Sequence, residues 1–244
     1  SGKILGLTGT KPKYATSEKG KMVAKFCPIL YVYTTDEAVD DKILNDYRII
    51  IHRLKLDTAK TMKVEKKGKI WYASERSTYN YWTNRIDNAS SKKEQQIMRV
   101  MRMKEMMNFP SKRILAEKLL NSITEKVILF ANTQEQADSF GIPSYHSKNP
   151  ESEDNLEMFR KSEITRLAAV LQLNEGVNIP QLKQGIIMHA YGNERKAAQR
   201  IGRLLRLNPK DTSTTHILCY EDTIDEQWVI AALENFDQSK ITWV

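Results

Sequence analysis

The sequence predicts an α/β fold, a mostly parallel sheet with helices on both faces, plus a basic helical excursion. Three observations predict it. From Thr124 onward, apolar runs of strand length alternate with stretches of helical periodicity, which is the pattern of βαβ crossovers. The composition is that of a folded chain: of 244 residues, 41% are hydrophobic and 28% charged, which excludes disorder as the main state. The net charge of +8 is gathered in one stretch, since residues 51–113 hold 16 basic and 6 acidic side chains while 114–244 hold 14 and 18.

The strands are predicted at 127–131, 167–173, 185–190 and 216–220, with helices at 134–140, 152–161, 194–207 and 225–236. Two further apolar runs, 29–33 and 47–56, add strands or lead into that sheet. Residues 61–113 differ in kind: basic, rich in Met and aromatics, and helical in pattern, with Ile97, Val100 and Met101 at i, i+3 and i+4. Trp71, Tyr72, Tyr79, Tyr81 and Trp82 offer rings that can stack on bases, but most of them are expected to anchor the excursion to the sheet. An excess of lysine and arginine in one stretch suits a polyanion; the competing reading is a solvated helical surface. No apolar run approaches the ~20 residues that cross a bilayer, so no membrane partner is expected. Cys27 and Cys219 form no CxxC pattern, which argues against a disulfide scaffold or metal site and suits a reducing cytoplasm.

The strongest chemical signal is the run Gln199-Arg200-Ile201-Gly202-Arg203-Leu204-Leu205-Arg206. On a helix, Gln199, Arg203 and Arg206 share one narrow sector, while Ala197, Ala198, Ile201, Leu204 and Leu205 lie opposite. One face therefore packs inward as the other presents two guanidinium forks, with Arg200 at its edge. Such a pair suits the equatorial oxygens of a transferring phosphoryl group; alone, it is equally a basic solvent face. Roughly 20 residues earlier, just past a predicted strand, Gly176 permits close approach of a nucleotide and Asn178 can hydrogen-bond a ribose.

Together these stretches resemble the C-terminal half of the motor core of superfamily 2 helicases. Thr8-Gly9-Thr10 is similar to the coupling motif III, the 127–133 segment to motif IV, Gly176 to Asn178 to motif V, and Gln199 to Arg206 to motif VI. Among subfamilies the order and spacing resemble the UvsW, XPB and restriction-motor type of DNA translocase. The resemblance implies a RecA-like domain. It makes Arg203 and Arg206 arginine fingers, with Gln199 and Arg200 in their network, Gly176 and Asn178 facing ATP, and Asn132, Thr133, His146 and Ser147 near the DNA backbone. A structural or capping role for His146 is the competing reading. Val170 stands where motif V usually carries Thr or Ser, leaving Gln172 as the candidate for that DNA contact. Lys92, Lys93, Arg99 and Arg102 of the excursion are expected to meet phosphates.

No Gly-x-x-x-x-Gly-Lys-[Ser/Thr] loop occurs, and Asp36-Glu37, which follows Thr10 instead of preceding it, is read as a helix start with Asp36 as N-cap. The expected organisation is a remnant of a first motor domain in 1–25, a lead-in over 26–60, the excursion over 61–113, and the second RecA-like domain over 114–244. ATP and Mg²⁺ would be held mainly by the first motor domain, which this sequence lacks, so the chain alone is expected not to hydrolyse ATP. The expected partners are that domain and duplex or branched DNA, in the cytoplasm of a bacterium or its phage. The alternatives are a noncatalytic nucleic-acid-binding module, or the motor part of a restriction or nuclease complex.

Overall fold

The computed structural model describes residues 14–42, 46–66, 68–170, 179–190 and 212–244. In chain order these form α1 (Glu18–Phe26), α2 (Thr35–Asp40), β1 (Asp46–Leu54), β2 (Met62–Lys66), β3 (Lys69–Ala73), α3 (Glu75–Asp87), α4 (Lys92–Met107), α5 (Pro110–Ser122), β4 (Val127–Ala131), α6 (Gln134–Asp138), β5 (Ser144–Tyr145), α7 (Ser152–Arg160), β6 (Arg166–Val170), β7 (Gln184–Ile187), β8 (Thr212–Tyr220), α8 (Ile224–Ala232) and β9 (Ile241–Trp243). Among the described residues, seven strands make one sheet in the order β5-β6-β4-β7-β8-β1-β9. Every neighbouring pair in it is parallel.

A parallel sheet must be covered on both faces, and the strand sequences are apolar on both. Ile49, Ile128, Leu167, Ile187 and Ile217 pack on one side with Phe159 of α7 and Val229 of α8. Leu129, Ala168, Ile186 and Leu218 pack on the other against Ala116 and Leu120 of α5 and Ala137 of α6. Because all these strands run the same way, their C-terminal ends share one rim, where ligands gather in open α/β sheets.

The expected α/β sheet is present, with β4, β6, β7 and β8 at the predicted strands and α6, α7 and α8 at three of the predicted helices. The predicted helix 194–207 lies outside the described residues, as does 171–173 of the second strand. The run 47–56 supplies β1, which pairs with β8 along its whole length. The run 29–33 is not a strand: it has no sheet partner, and Leu30 is 91% exposed.

Two expectations are corrected. The excursion opens with a β-hairpin, not a helix, because Val64, Ile70, Trp71 and Tyr72 are strand formers flanking a turn in which Gly68 takes φ +72°. At Asp36, the N-cap is instead Thr34, whose hydroxyl accepts from the Glu37 N–H at 3.1 Å, while Glu37 accepts from the Thr34 N–H at 2.6 Å. Asp36 accepts a hydrogen bond from the Tyr47 hydroxyl at 2.5 Å, which ties α2 to β1.

Strands β1 and β8 also place two imidazoles side by side, His52 Nε2 lying 2.9 Å from His216 Nδ1 with the rings stacked. Burial lowers both pKa values, that of His216 to about 4. A histidine whose folded pKa is depressed adds stability above its unfolded value and loses it as pH falls toward the folded one. Unfolding free energy from urea titrations should therefore decline between pH 6.5 and 4, and replacing both histidines by Leu should flatten that decline.

Candidate functional site

The rim is built from short segments that follow the strands. After β4, Asn132 is buried, its backbone N–H donating to Gln136 Oε1 at 2.9 Å. Neither polar atom of the Asn132 side chain has a hydrogen-bond partner among the described residues. Thr133 is the N-cap of α6, its hydroxyl accepting from the Gln136 N–H at 3.1 Å. Gln136 then donates to the Met107 carbonyl at 3.0 Å, joining the end of α4 to the end of β4.

Next to this, after β5, His146 is buried with Nε2 2.9 Å from Asp138 Oδ1. Its backbone N–H donates to Ser152 Oγ at 3.0 Å, and that hydroxyl donates back to the His146 carbonyl at 2.7 Å. Bonds to Ser144 and His146 hold the Asp138 carboxyl below the usual carboxylate range. His146 thus braces the turn between α6 and α7. Ser147 is exposed beside it and accepts from Gln134 Nε2 at 3.1 Å. The structure brings Asn132, Thr133, His146 and Ser147 together on one stretch of rim.

A third part of the rim holds charges that periodicity did not flag. Lys112 of α5 is fully buried, its ammonium bonded to Asp225 Oδ2 and 2.9 Å from His189 Nδ1. Burial pushes the Lys112 pKa down against the pull of Asp225. Asp225 Oδ2 also accepts from the Tyr220 N–H at 2.9 Å. At the residue before Lys112, buried Glu75 of α3 accepts from the Ser111 N–H and hydroxyl and also from the Asp57 N–H, each at 2.9 Å. Phe109, the N-cap of α5, offers no side-chain bond, so Glu75 caps that helix from the first residue of α3. Ser111 Oγ lies 2.8 Å from the Tyr220 hydroxyl, which links the two clusters. These residues escape sequence reading because a lone Lys, Asp or Glu in a helix matches a solvated surface as well as a buried pair.

The excursion stands on the same rim. Leu56, Met106, Phe109 and Tyr220 form a small core under it, joined by Met62, Tyr79 and Trp228. Tyr79 anchors the excursion as expected, its hydroxyl accepting from the Ile224 N–H at 3.0 Å. Trp71, Tyr72 and Tyr81 do not; their rings stay exposed because the hairpin and the outer side of α3 face away from the sheet. Lys92, Lys93 and Arg99 are exposed on α4. Arg102 points to α3, bonding Thr83 Oγ1 at 2.9 Å and lying 5.1 Å from the centre of the Tyr79 ring. Thr8, Gly9, Thr10, Gln172, Gly176, Asn178, Gln199, Arg200, Arg203 and Arg206 lie outside the described residues.

Residues 111–208 match the family model described as the helicase conserved C-terminal domain. Over that stretch the chain is similar to a helicase C-terminal domain. The chain is 33% identical over 110 residues to the DNA 3'-5' translocase XPB2 of Sulfurisphaera tokodaii, an alignment that covers 43% of this chain and 25% of that protein. The chain thus matches about a quarter of that relative's length. Its structure is similar to that of S. cerevisiae Dbp5 bound to RNA and ADP BeF3, with a TM-score of 0.51 and 12% identity, covering 93% of this chain and 48% of that one. That likeness is one of fold, and the fold is RecA-like.

The buried charges of the rim give a direct test. Lys112→Met strands Asp225 in the interior and should cost about 3–5 kcal/mol in urea unfolding. Lys112→Met with Asp225→Leu removes both charges and should recover at least half of that loss.

Proposed function

We propose that the chain is the C-terminal half of an ATP-dependent DNA translocase or helicase, working with an N-terminal motor domain supplied by a longer protein. The observation that carries this reading is the helicase C-terminal match over 111–208, which encloses both Gly176 to Asn178 and Gln199 to Arg206. DNA is taken as the track because the XPB2 relative is named a DNA translocase. On this reading Arg203 and Arg206 supply guanidinium groups to the terminal phosphate of ATP, and Gly176 and Asn178 face the same nucleotide. The ATP and its Mg²⁺ are held mainly by the other motor domain. Asn132, Thr133 and Ser147 meet the DNA backbone, and the unpartnered amide of buried Asn132 is the described group that most needs such a partner.

Division of labour between two motor domains follows from phosphoryl transfer, which needs cradle, metal and fingers in one cleft. The chain alone should show no DNA-stimulated ATP hydrolysis. In the longer protein, Arg203→Ala and Arg206→Ala should each lower the DNA-stimulated rate by ~10³-fold or more. Rates left intact by both substitutions would sink the motor reading in favour of a noncatalytic nucleic-acid-binding module.

The excursion supplies non-specific phosphate contacts through Lys92, Lys93 and Arg99, which are exposed on α4. Replacing these three by Gln should weaken duplex binding and reduce the slope of log affinity against log salt by about 2–3. Arg102, already bonded to Thr83, should add little to that change when it is replaced as well. An unchanged slope in the triple variant would make the excursion a structural brace.

A further inference from the structure

We propose that the β2–β3 hairpin is a platform for unpaired DNA, with bases stacking on Trp71 and Tyr72 and phosphates meeting Lys60, Lys63 and Lys69. The proposal rests on reading the chain as part of a DNA motor and assigns it a contact for single strands, separate from the duplex contacts of α4.

The hairpin is an isolated two-stranded ribbon, a form that is marginal in water unless something packs on it. Its base is held by Met62, which packs against the small core of Leu56, Met106, Phe109 and Tyr220. Beyond that anchor the ribbon leaves Ile70, Trp71 and Tyr72 exposed by 56%, 44% and 58%. Three consecutive large apolar side chains exposed on a ribbon mark an interaction surface, since a soluble domain gains nothing by leaving them in water.

Pairing sets which side each ring occupies. Lys63 stands opposite Tyr72 and Glu65 opposite Ile70 on one face, while Val64 stands opposite Trp71 on the other. Each face therefore presents one aromatic ring. Lys60, Lys63 and Lys69 are all exposed around them. From Lys60 to Lys69 the sequence carries five lysines against Glu65 as its sole carboxylate. Apolar rings interleaved with cations complement a strand whose bases are free to stack and whose backbone is anionic. A duplex hides its base faces and can satisfy the cations alone, and an apolar protein partner offers the cations no counter-charge beyond Glu65, which lies 4.0 Å from Lys63.

Position supports the same occupant. The hairpin follows β1, so it rises from the rim that also carries Asn132 and Thr133 at the end of β4. A strand peeled from a duplex lying along α4 has the ribbon beside it, since β3 leads directly into α3 and α3 packs on α4.

The test uses the full chain with fluorescein-labelled oligothymidylate and a blunt duplex of matched phosphate number, read by anisotropy at one salt concentration. Trp71→Ala with Tyr72→Ala should weaken oligothymidylate binding by ~10-fold or more while duplex affinity stays within about twofold. Because both side chains are exposed, the variant should retain its urea midpoint, and Trp71→Phe with Tyr72→Phe, which keeps the rings, should restore binding. Equal losses on both probes, or no loss on oligothymidylate, would overturn the platform while leaving the motor reading in place. A chain that binds neither probe, in a longer protein that does not hydrolyse ATP on DNA, overturns the motor reading itself.

Discussion

The parallel ladder between β1 and β8 is the constraint on which the rest of the structure depends. It joins residues 46–54 to 212–220, far apart in sequence, and runs the full length of both strands. Closing so long a loop costs chain entropy that grows slowly with length, so a well-packed ladder can hold a large insertion at little added cost. The hairpin, α3 and α4 are such an insertion, leaving at the end of β1 and returning through α5. Because β1 and β8 end at the same level, Leu56 and Tyr220 meet beneath the insertion, and its small core with Met106 and Phe109 follows from that meeting.

Apolar packing of that size orients the insertion weakly, and the buried charges supply the rest. Glu75 opens α3 and caps α5, Ser111 passes from Glu75 to Tyr220, and Lys112 joins Asp225 and His189. Its members come from α3, α5, β8, α8 and the segment after β7, so the network fixes how these stand relative to one another. A buried ion pair adds little net stability over an apolar pair of the same shape, but it tolerates few alternative arrangements. For a rim assembled from several elements, a single arrangement matters more than extra stability. His189 follows β7 by two residues, so the same cluster reaches past the end of that strand.

Much of the fold was legible in the sequence because a parallel sheet buried on both faces leaves unbroken apolar runs. The runs 127–131 and 216–220 read as strands for that reason, and 127–131 in β4 and 217–220 at the end of β8 are fully buried. What was not legible depends on partners rather than on the local chain. The run 29–33 is as apolar as a strand, yet an apolar run becomes a strand only beside a free edge. The hairpin was lost in a stretch whose charge and methionines suggested helix, although Gly68 between two β-forming runs was the signal that separates the two readings. On the rim, motif order pointed to Asn132, Thr133, His146 and Ser147, and these do lie together. Lys112, Asp225 and Glu75 gave no such sign, because pairing across 113 or 36 residues leaves no local pattern.

On the proposed reading the two halves of the rim divide the work by rigidity. Asn132 and Thr133 sit at the end of buried β4, and His146 and Ser147 at the end of β5, with β6 between them, where backbone position is fixed by the sheet; groups placed there can be aimed. Lys92, Lys93 and Arg99 stand on the outer helix of an insertion, on long side chains that point into water; groups placed there attract without aiming. Nucleic-acid recognition uses both kinds, since phosphate contacts supply affinity through charge and register comes from groups held in place. Burial in the sheet fixes where the strand ends stand, and the insertion brings the charge to them. The ladder between β1 and β8 puts the two on one rim.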